Sequence, residues 1–186
     1  MWRTAAKFLV GTIAGSMLWW YCTPAYNDAI AQIAVRILHV DPRLHDIVAT
    51  PQERWIFVES FSASIGTATI PADQLTYNVI LFIAIVLATE GALFRPRKLR
   101  AVAIAALILA TTHVATFAIA TEAIYATSAA SGDRWGAIET NIWYYAVMFL
   151  RLVGMLGIAF GCWIFVRTHG EDAARVRQKA KGRREK

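Results

Sequence analysis

The sequence is poor in charged residues. Only 17% of its 186 residues are Asp, Glu, Lys or Arg, whereas 57% are hydrophobic. A typical soluble domain is about 25% charged and about 45–50% apolar. Several apolar windows also approach the roughly 20 residues that a helix needs to cross a bilayer. The shortage of charge therefore argues against an ordinary soluble domain and predicts an integral membrane protein.

Cysteine is scarce, and metal-ligand clusters are lacking. Cys22 ends the first apolar run and Cys162 lies late in the last one. They fall on opposite sides of a bilayer, too far apart for a disulfide, which needs Cα atoms within about 7 Å. His113 is alone in its apolar run, so two facing axial ligands for haem are missing. The sequence predicts no intrachain disulfide, no metal site and no cofactor.

Basic residues exceed acidic ones, with a net charge of +6 and a pI of about 9.6. They stand in short blocks beside the apolar runs rather than among aromatic residues of a polar surface. This arrangement is typical of topology signals and of contacts with lipid headgroups. We therefore expect membrane lipids, and not nucleic acid, as partners.

The apolar runs predict four membrane spans. The fold class expected is an integral membrane α-helical protein, a four-helix transmembrane bundle with a small extracytoplasmic α+β cap. The spans run over about residues 8–21, 77–94, 102–120 and 142–166. The corresponding regions are an anchor at 1–22, the cap at 23–76, three helices at 77–166 with a basic hinge at 95–100, and a basic tail at 167–186. A cleaved signal peptide is the alternative for the anchor, but bulky aromatic residues occupy the place where small residues would precede the cut.

Positive charge sets the expected orientation. The N-terminal flank, the hinge and the tail are basic, whereas residues 23–76 and 121–141 hold four arginines against nine acidic residues. Cytoplasmic segments carry the excess of Lys and Arg. We expect a bacterial inner-membrane protein with both termini in the cytoplasm. The residues expected to contact the lipid interface are Trp19, Trp20, Tyr21, Trp143, Tyr144, Tyr145, Arg95, Arg97, Lys98 and Arg100.

The cap combines a helical pattern with strand patterns. Its helix carries one apolar face formed by Ile30, Ile33, Ala34, Ile37 and Leu38. The runs HDIVAT and RWIFVESF alternate as strands do, and SIGTATI is a candidate third strand. An isolated hairpin is marginally stable, so the strands must pack on the helix, on lipid or on a partner. The residues expected to dock a partner are Ile33, Ile37, Trp55 and Phe57.

Three polar side chains interrupt the spans, and such groups are costly in hydrocarbon. Glu90 either reaches the inner headgroups or the basic hinge, or pairs with Arg151. Arg151 alternatively extends outward to headgroups. His113, among threonines, is expected to be a hydrogen-bonded packing residue rather than a ligand.

The chain resembles the small membrane proteins that accompany exosortases in bacteria, especially the exosortase H-associated type. The resemblance lies in an aromatic first span that ends in a Pro, a second span that ends in LAT, a basic hinge and an aromatic-led fourth span. These are WWYCTP, YNVILFIAIVLAT, RPRKLRA and IWYYAVMFLRLVGMLGIAFGCWIF. It implies a non-catalytic accessory or scaffold role, with an exosortase as membrane partner, in sorting proteins that end in an apolar helix and a basic segment.

Two other functions stay open. One is a structural subunit of a larger energy-transducing or transport complex, because small residues in AVAIAALILA permit close helix packing. The other is a membrane cysteine transpeptidase that uses Cys22 with His113 and Arg151, because exosortases use a Cys, an Arg and a His. The order of these residues along this chain, and the lack of a motif around Cys22, argue against an enzyme.

Overall fold

The computed structural model describes residues 2–52, 55–60, 67–72, 76–88, 96–128 and 134–182. Most of them are helical. In chain order the elements are helix α1 (Trp2–Leu38), strands β1 (Ile47–Gln52), β2 (Trp55–Ser60) and β3 (Ala68–Pro71), helices α2 (Asn78–Ala88), α3 (Pro96–Thr127) and α4 (Ala137–Phe149), a π-helical turn (Leu150–Gly154), and helix α5 (Met155–Gly182).

Among the described residues, two helical segments are long and apolar enough to cross a membrane. They are Pro96–Thr127, with a mean hydropathy of 2.1, and Ala137–Thr168, with a mean hydropathy of 2.0. The second combines α4, the π turn and the first half of α5. Helix α2 is also apolar but has 11 residues within the described part of the chain. The third and fourth predicted spans thus lie inside continuous helices.

Helix α1 differs from its prediction. The sequence placed a boundary at residue 22 between an anchor and a separate cap helix, but one helix of 37 residues runs through Pro24. Proline removes a backbone donor and strains a helix. Neighbouring helices can compensate for this in apolar surroundings, and α1 packs closely on other parts of the chain on both sides of Pro24, where Thr23 and Asn27 are buried. Anchor and cap are therefore joined by a single helix.

The C-terminal third of α1 packs against the sheet through a face shifted from the predicted one. Its buried residues are Ile30, Ala31, Ala34 and Leu38. The two alanines leave room for the sheet to approach the helix closely. Ile33 and Ile37, which the sequence placed on the apolar face and predicted to dock a partner, are about half exposed, at 49% and 52%.

The cap contains an antiparallel sheet in the order β1-β2-β3, which confirms the three predicted strands. In the first pair Ile47 lies opposite Ser60, and Gln52 lies opposite Trp55. The inner face of the sheet is apolar and joins a core with α1 and the C-terminal third of α3. The core residues from the sheet and from α3 include Ile47, Ile56, Val58, Ile70, Phe117, Ala120 and Tyr125. The strands are stable because two long helices cover one face of the sheet.

Helices α1 and α2 pack antiparallel at very short range. A Cβ atom on Gly11 would lie 3.0 Å from the Cα and carbonyl oxygen of Ala84, and a Cβ on Gly15 would lie 3.3 Å from the Ile80 carbonyl. Glycines four residues apart allow such close backbone contact between helices in membranes. Away from the cap, α2, α3 and α5 share a second core built from Phe82, Val86, Ala101, Ala105, Leu109, Cys162 and Val166.

Candidate functional site

A chain of buried polar groups crosses the interior where four helical segments meet. Tyr26 of α1 places its hydroxyl 2.6 Å from Nδ1 of His113 on α3. Nε2 of His113 lies 2.7 Å from Oδ1 of Asn78, the first residue of α2. The Asn78 amide then donates to the backbone oxygen of Met155 at 3.3 Å and lies 3.4 Å from its sulfur. We call these four residues the polar node.

The hydrogen bonds of the polar node define one consistent protonation pattern. The Asn78 amide nitrogen donates to Met155, so its Oδ1 is the acceptor for His113. Nε2 of His113 therefore carries the proton, and Nδ1 accepts from the Tyr26 hydroxyl. Each hydrogen bond of the polar node is therefore donated in the direction from Tyr26 to Met155, and the His113 imidazole is neutral. A fully satisfied neutral network can be buried in apolar surroundings without an uncompensated charge.

The π turn lies next to the polar node. Residues Leu150–Gly154 widen the helix directly before Met155, which is 1% exposed. Single π turns inside α-helices occur frequently at functional sites. His113 and Asn78 are both fully buried. The node thus fixes the register of four helical segments, and one segment carries an irregular turn at the contact.

A second, partly buried contact involves Trp19, one of the residues predicted to contact the lipid interface. Its indole nitrogen donates to the Thr76 hydroxyl at 3.0 Å, and that hydroxyl donates to the Ala72 carbonyl at 3.0 Å. Trp19 is half-buried and points toward the segment that precedes α2. Its role is to connect α1 to the end of the cap.

Charged residues of the cap gather around Arg43. Its guanidinium bonds to Asp41 at 2.6 Å and to Glu139 at 2.8 Å, and it lies 4.8 Å from the centre of the Trp135 ring. Trp135 is buried, and its indole donates to Glu122 at 3.3 Å. We call Asp41, Arg43, Trp135 and Glu139 the Arg43 cluster. It connects the turn after α1 to the beginning of α4.

The pKa values of the Arg43 cluster make the cap sensitive to acid. Hydrogen bonds from Arg43 lower the pKa of Asp41, and the same bonds raise the pKa of Arg43. A carboxyl with a lowered pKa stabilises the folded state above its unfolded pKa of about 4, and this contribution is lost as the pH falls through the lowered value.

We therefore expect Arg43→Gln to lower the melting temperature by a few degrees at neutral pH. The difference from the wild type is expected to shrink below about pH 4, as the carboxyl is protonated. Thermal unfolding in detergent at several pH values measures this difference in melting temperature. Arg36→Gln, at an exposed arginine of α1, is the control. A difference between wild type and Arg43→Gln that is independent of pH would contradict this role of Asp41.

The structure does not join the three residues considered for thiol catalysis. Cys22 is exposed on α1, and Arg151 is exposed on the π turn. His113 is buried, and both of its ring nitrogens are engaged by Tyr26 and Asn78. No nitrogen of this imidazole is therefore left to accept a proton from the Cys22 thiol and so activate it.

The remaining predicted residues fall into four groups. Trp20, Tyr21, Tyr144, Tyr145, Trp55, Arg97 and Arg100 are exposed, whereas Trp143 and Phe57 are half-buried. Lys98 is buried, with 5% of its surface exposed. Glu90 and Arg95 lie outside the described residues.

The sequence interpretation missed several residues that organise the site. Tyr26 and Asn78 looked like ordinary residues at the ends of apolar runs, and no local pattern indicates that they meet across the chain. The spacing of Gly11 and Gly15 is a known packing signal that was present in the sequence. Arg43 was read only as one of the charges of the cap.

Among the described residues, no group of three or more His, Cys, Asp or Glu side chains is placed to hold a metal ion. Comparison with family models, with curated proteins and with solved structures gave no match. In the part of the chain that the structure describes, the class defined is a mostly helical protein with a three-stranded sheet and two helices apolar enough to cross a membrane.

Proposed function

We propose that this chain is a four-span membrane protein that serves as a non-catalytic accessory or scaffold, with its cap docking a membrane protein partner. The observation that carries the proposal is an exposed apolar strip on the cap. Ile33, Ile37 and Val40 are 49%, 52% and 81% exposed. Ile33 and Ile37 are one turn apart on α1, and Val40 follows its end. We call these three residues the apolar strip.

Uncharged stretches support the membrane placement. Residues 8–27 of α1 and 101–121 of α3 contain no charged side chain, and residues 140–166 contain only Arg151. Each stretch has 20 residues or more, enough to cross a bilayer as a helix. Helix α2 packs directly on α1 and shares a core with α3 and α5. Helix α2 would therefore lie at the same depth in the membrane as α1, α3 and α5.

The position of the apolar strip favours a protein partner over lipid. Asp28 is the first charged residue after the uncharged stretch of α1. At 1.5 Å per residue, Ile33 and Ile37 lie about 8 Å and about 14 Å farther along the helix axis than Asp28. The strip therefore projects beyond the hydrocarbon region. Apolar patches that face water mark protein interaction sites.

The engaged state of His113 favours an accessory role over catalysis. A nucleophilic cysteine needs a nearby base or cation, and both nitrogens of this imidazole bond to other residues. The resemblance to exosortase-associated proteins supports an exosortase as the partner and the bacterial inner membrane as the location, with both termini in the cytoplasm. A larger membrane complex is the alternative partner.

Co-purification from native membranes tests the docking role. We expect Ile37→Lys to reduce recovery of the partner at least tenfold, because a charge placed in an apolar contact removes more than the roughly 1.4 kcal/mol that tenfold affinity represents. Val48→Lys is the matched control, since Val48 is 46% exposed on β1, away from the strip.

Each outcome of that experiment separates the alternatives. Co-isolation of an exosortase supports the sorting role, and co-isolation of an energy-transducing or transport complex supports the structural-subunit alternative. Equal recovery with wild type and Ile37→Lys would show that the apolar strip is not the docking surface. Cys22→Ser is expected to leave sorting in cells unchanged, and loss of sorting would instead indicate the thiol enzyme.

A further inference from the structure

Arg151 is a charged residue in the middle of an otherwise uncharged helical stretch. It is exposed on the π turn. Arg151 forms no ion pair with another described residue. Arginines within membrane helices usually face the protein interior or a polar cavity and pair with an anion. The anion for Arg151 must therefore be sought outside the described residues.

The direction of the helix points the guanidinium toward the cap side of the membrane. Side chains in an α-helix tilt toward its N-terminus, and the N-terminus of α4 lies beside the cap. Arg151 follows Glu139 by 12 residues, about 18 Å, and precedes Arg167 by 16 residues, about 24 Å. The cap-side boundary of the membrane is thus the nearer one for Arg151, and it lies in the direction toward which helical side chains tilt.

Exposed neighbours on α4 mark the surface along which the side chain would extend. Tyr144 and Met148, seven and three residues before Arg151, are 44% and 36% exposed. Residues with this spacing share a helix face. Tyr144 lies about 10 Å from Arg151 along the axis. A tyrosine at that level suits the boundary between hydrocarbon and headgroups, and a snorkelling arginine covers much of the gap.

We propose that Arg151 binds the phosphate of a phospholipid in the leaflet on the cap side. The inference rests on the membrane placement proposed above. A guanidinium presents paired N–H donors that match a phosphate group. The exposed side chains of Met148 and Leu152 offer apolar contact to the same lipid. The site would hold a lipid at the π turn, next to the polar node.

A carboxylate of the chain itself is the competing anion, and Glu90, which the sequence considered as a partner of Arg151, lies outside the described residues. Asn78 contacts Met155, four residues after Arg151. From there α2 runs alongside α5, away from Arg151, toward the core that contains Val86 and Val166. Its last described residue, Ala88, lies ten residues past Asn78, about 15 Å along the axis.

Native mass spectrometry of the full-length protein in a neutral detergent tests the proposal. The probes are phosphatidylglycerol and diacylglycerol, which share acyl chains but differ in the phosphate. We expect Arg151→Gln to weaken phosphatidylglycerol binding about tenfold, as loss of a charge-assisted hydrogen bond would. Arg151→Lys is expected to stay within about threefold, since an ammonium also binds phosphate. Arg36→Gln, an exposed arginine of the cap, is the control expected to bind as the wild type does.

The proposal is overturned if Arg151→Gln binds phosphatidylglycerol as the wild type does, or if the wild type binds diacylglycerol equally well. It is also overturned if Arg151→Gln and Glu90→Gln lower the melting temperature alike and leave lipid binding unchanged, because Glu90 is then the anion. Alkaline extraction of membranes distinguishes failure of the Arg151 site from failure of the proposed membrane placement. Protein released by alkali contradicts the membrane placement, whereas protein retained with unchanged lipid binding contradicts only the Arg151 site.

Discussion

Gly11→Leu is expected to abolish the packing of α1 on α2 and to lower stability by at least about 3 kcal/mol. Overpacking a tight contact typically costs about 1–3 kcal/mol, and here the obstacle is backbone. The Cβ position of Gly11 lies 3.0 Å from two backbone atoms of Ala84, and 3.1 Å from the Leu87 Cβ. A leucine cannot enter unless the two helices separate. Thermal unfolding in detergent, with the yield of folded protein, measures the loss.

Alanine substitutions at four glycines give a graded series that isolates the stability cost of placing a Cβ atom between α1 and α2. Gly11→Ala is expected to destabilise more than Gly15→Ala, whose Cβ would meet the Ile80 carbonyl at 3.3 Å. Gly157→Ala and Gly161→Ala are the matched controls, because nothing lies within 4 Å of their Cβ positions. Glycine in a helix is less favourable than alanine by roughly 1 kcal/mol, so the controls should be neutral or slightly stabilising. Equal effects at all four glycines would contradict close packing of α1 on α2.

The strands of the cap could be predicted because strand patterns are local. In β2, the alternation of Trp55, Phe57 and Glu59 with Ile56, Val58 and Ser60 needs no knowledge of the rest of the chain. The structure buries Ile56 and Val58 and exposes Trp55. A period of two assigns each side chain to one face of a sheet. Only the register of the strands and their packing partners depended on distant residues.

The continuity of α1 was not predictable from its own segment. Pro24 and the aromatic residues before it resemble the end of a span, and proline normally interrupts a helix. What keeps the helix continuous is tertiary. Thr23 and Asn27, on either side of Pro24, are 5% and 1% exposed, and the Trp19 indole bonds to Thr76, which is 57 residues away. Packing on distant residues overrides local propensity here.

Packing on distant residues also explains which face of residues 30–38 of α1 is buried against the sheet. Both faces of residues 30–38 contain isoleucine, and a helical period does not tell which of them the sheet will cover. The sheet packs where Ala31 and Ala34 allow close approach. The isoleucines that the sheet leaves exposed, Ile33 and Ile37, are two of the residues that the sequence predicted to dock a partner.

The polar node could be found only in the structure, yet its chemistry explains why a histidine lies in an apolar helix. His113 has two nitrogens with opposite roles, and it joins a donor on α1 to an acceptor on α2. A residue with a single polar atom would satisfy one neighbour and leave the other without a partner. Its position, where both cores and the π turn come together, couples the cap to the rest of the helices.

His113→Phe is expected to destabilise the protein by about 2–3 kcal/mol, because the Tyr26 hydroxyl and the Asn78 carbonyl oxygen both lose their partner in an apolar interior. Asn78→Leu is expected to cost a similar amount, since it leaves the Nε2 proton of His113 unbonded. The double variant should cost less than the sum of the two, with a coupling of about 1–2 kcal/mol between residues in direct contact. Unfolding by SDS titration gives the three free energies. Thr111→Val is the control, because this hydroxyl bonds only within its own helix, to the Leu107 carbonyl. Strict additivity of the two substitutions would mean that the histidine and the asparagine act independently, and the polar node would then be reduced to ordinary packing.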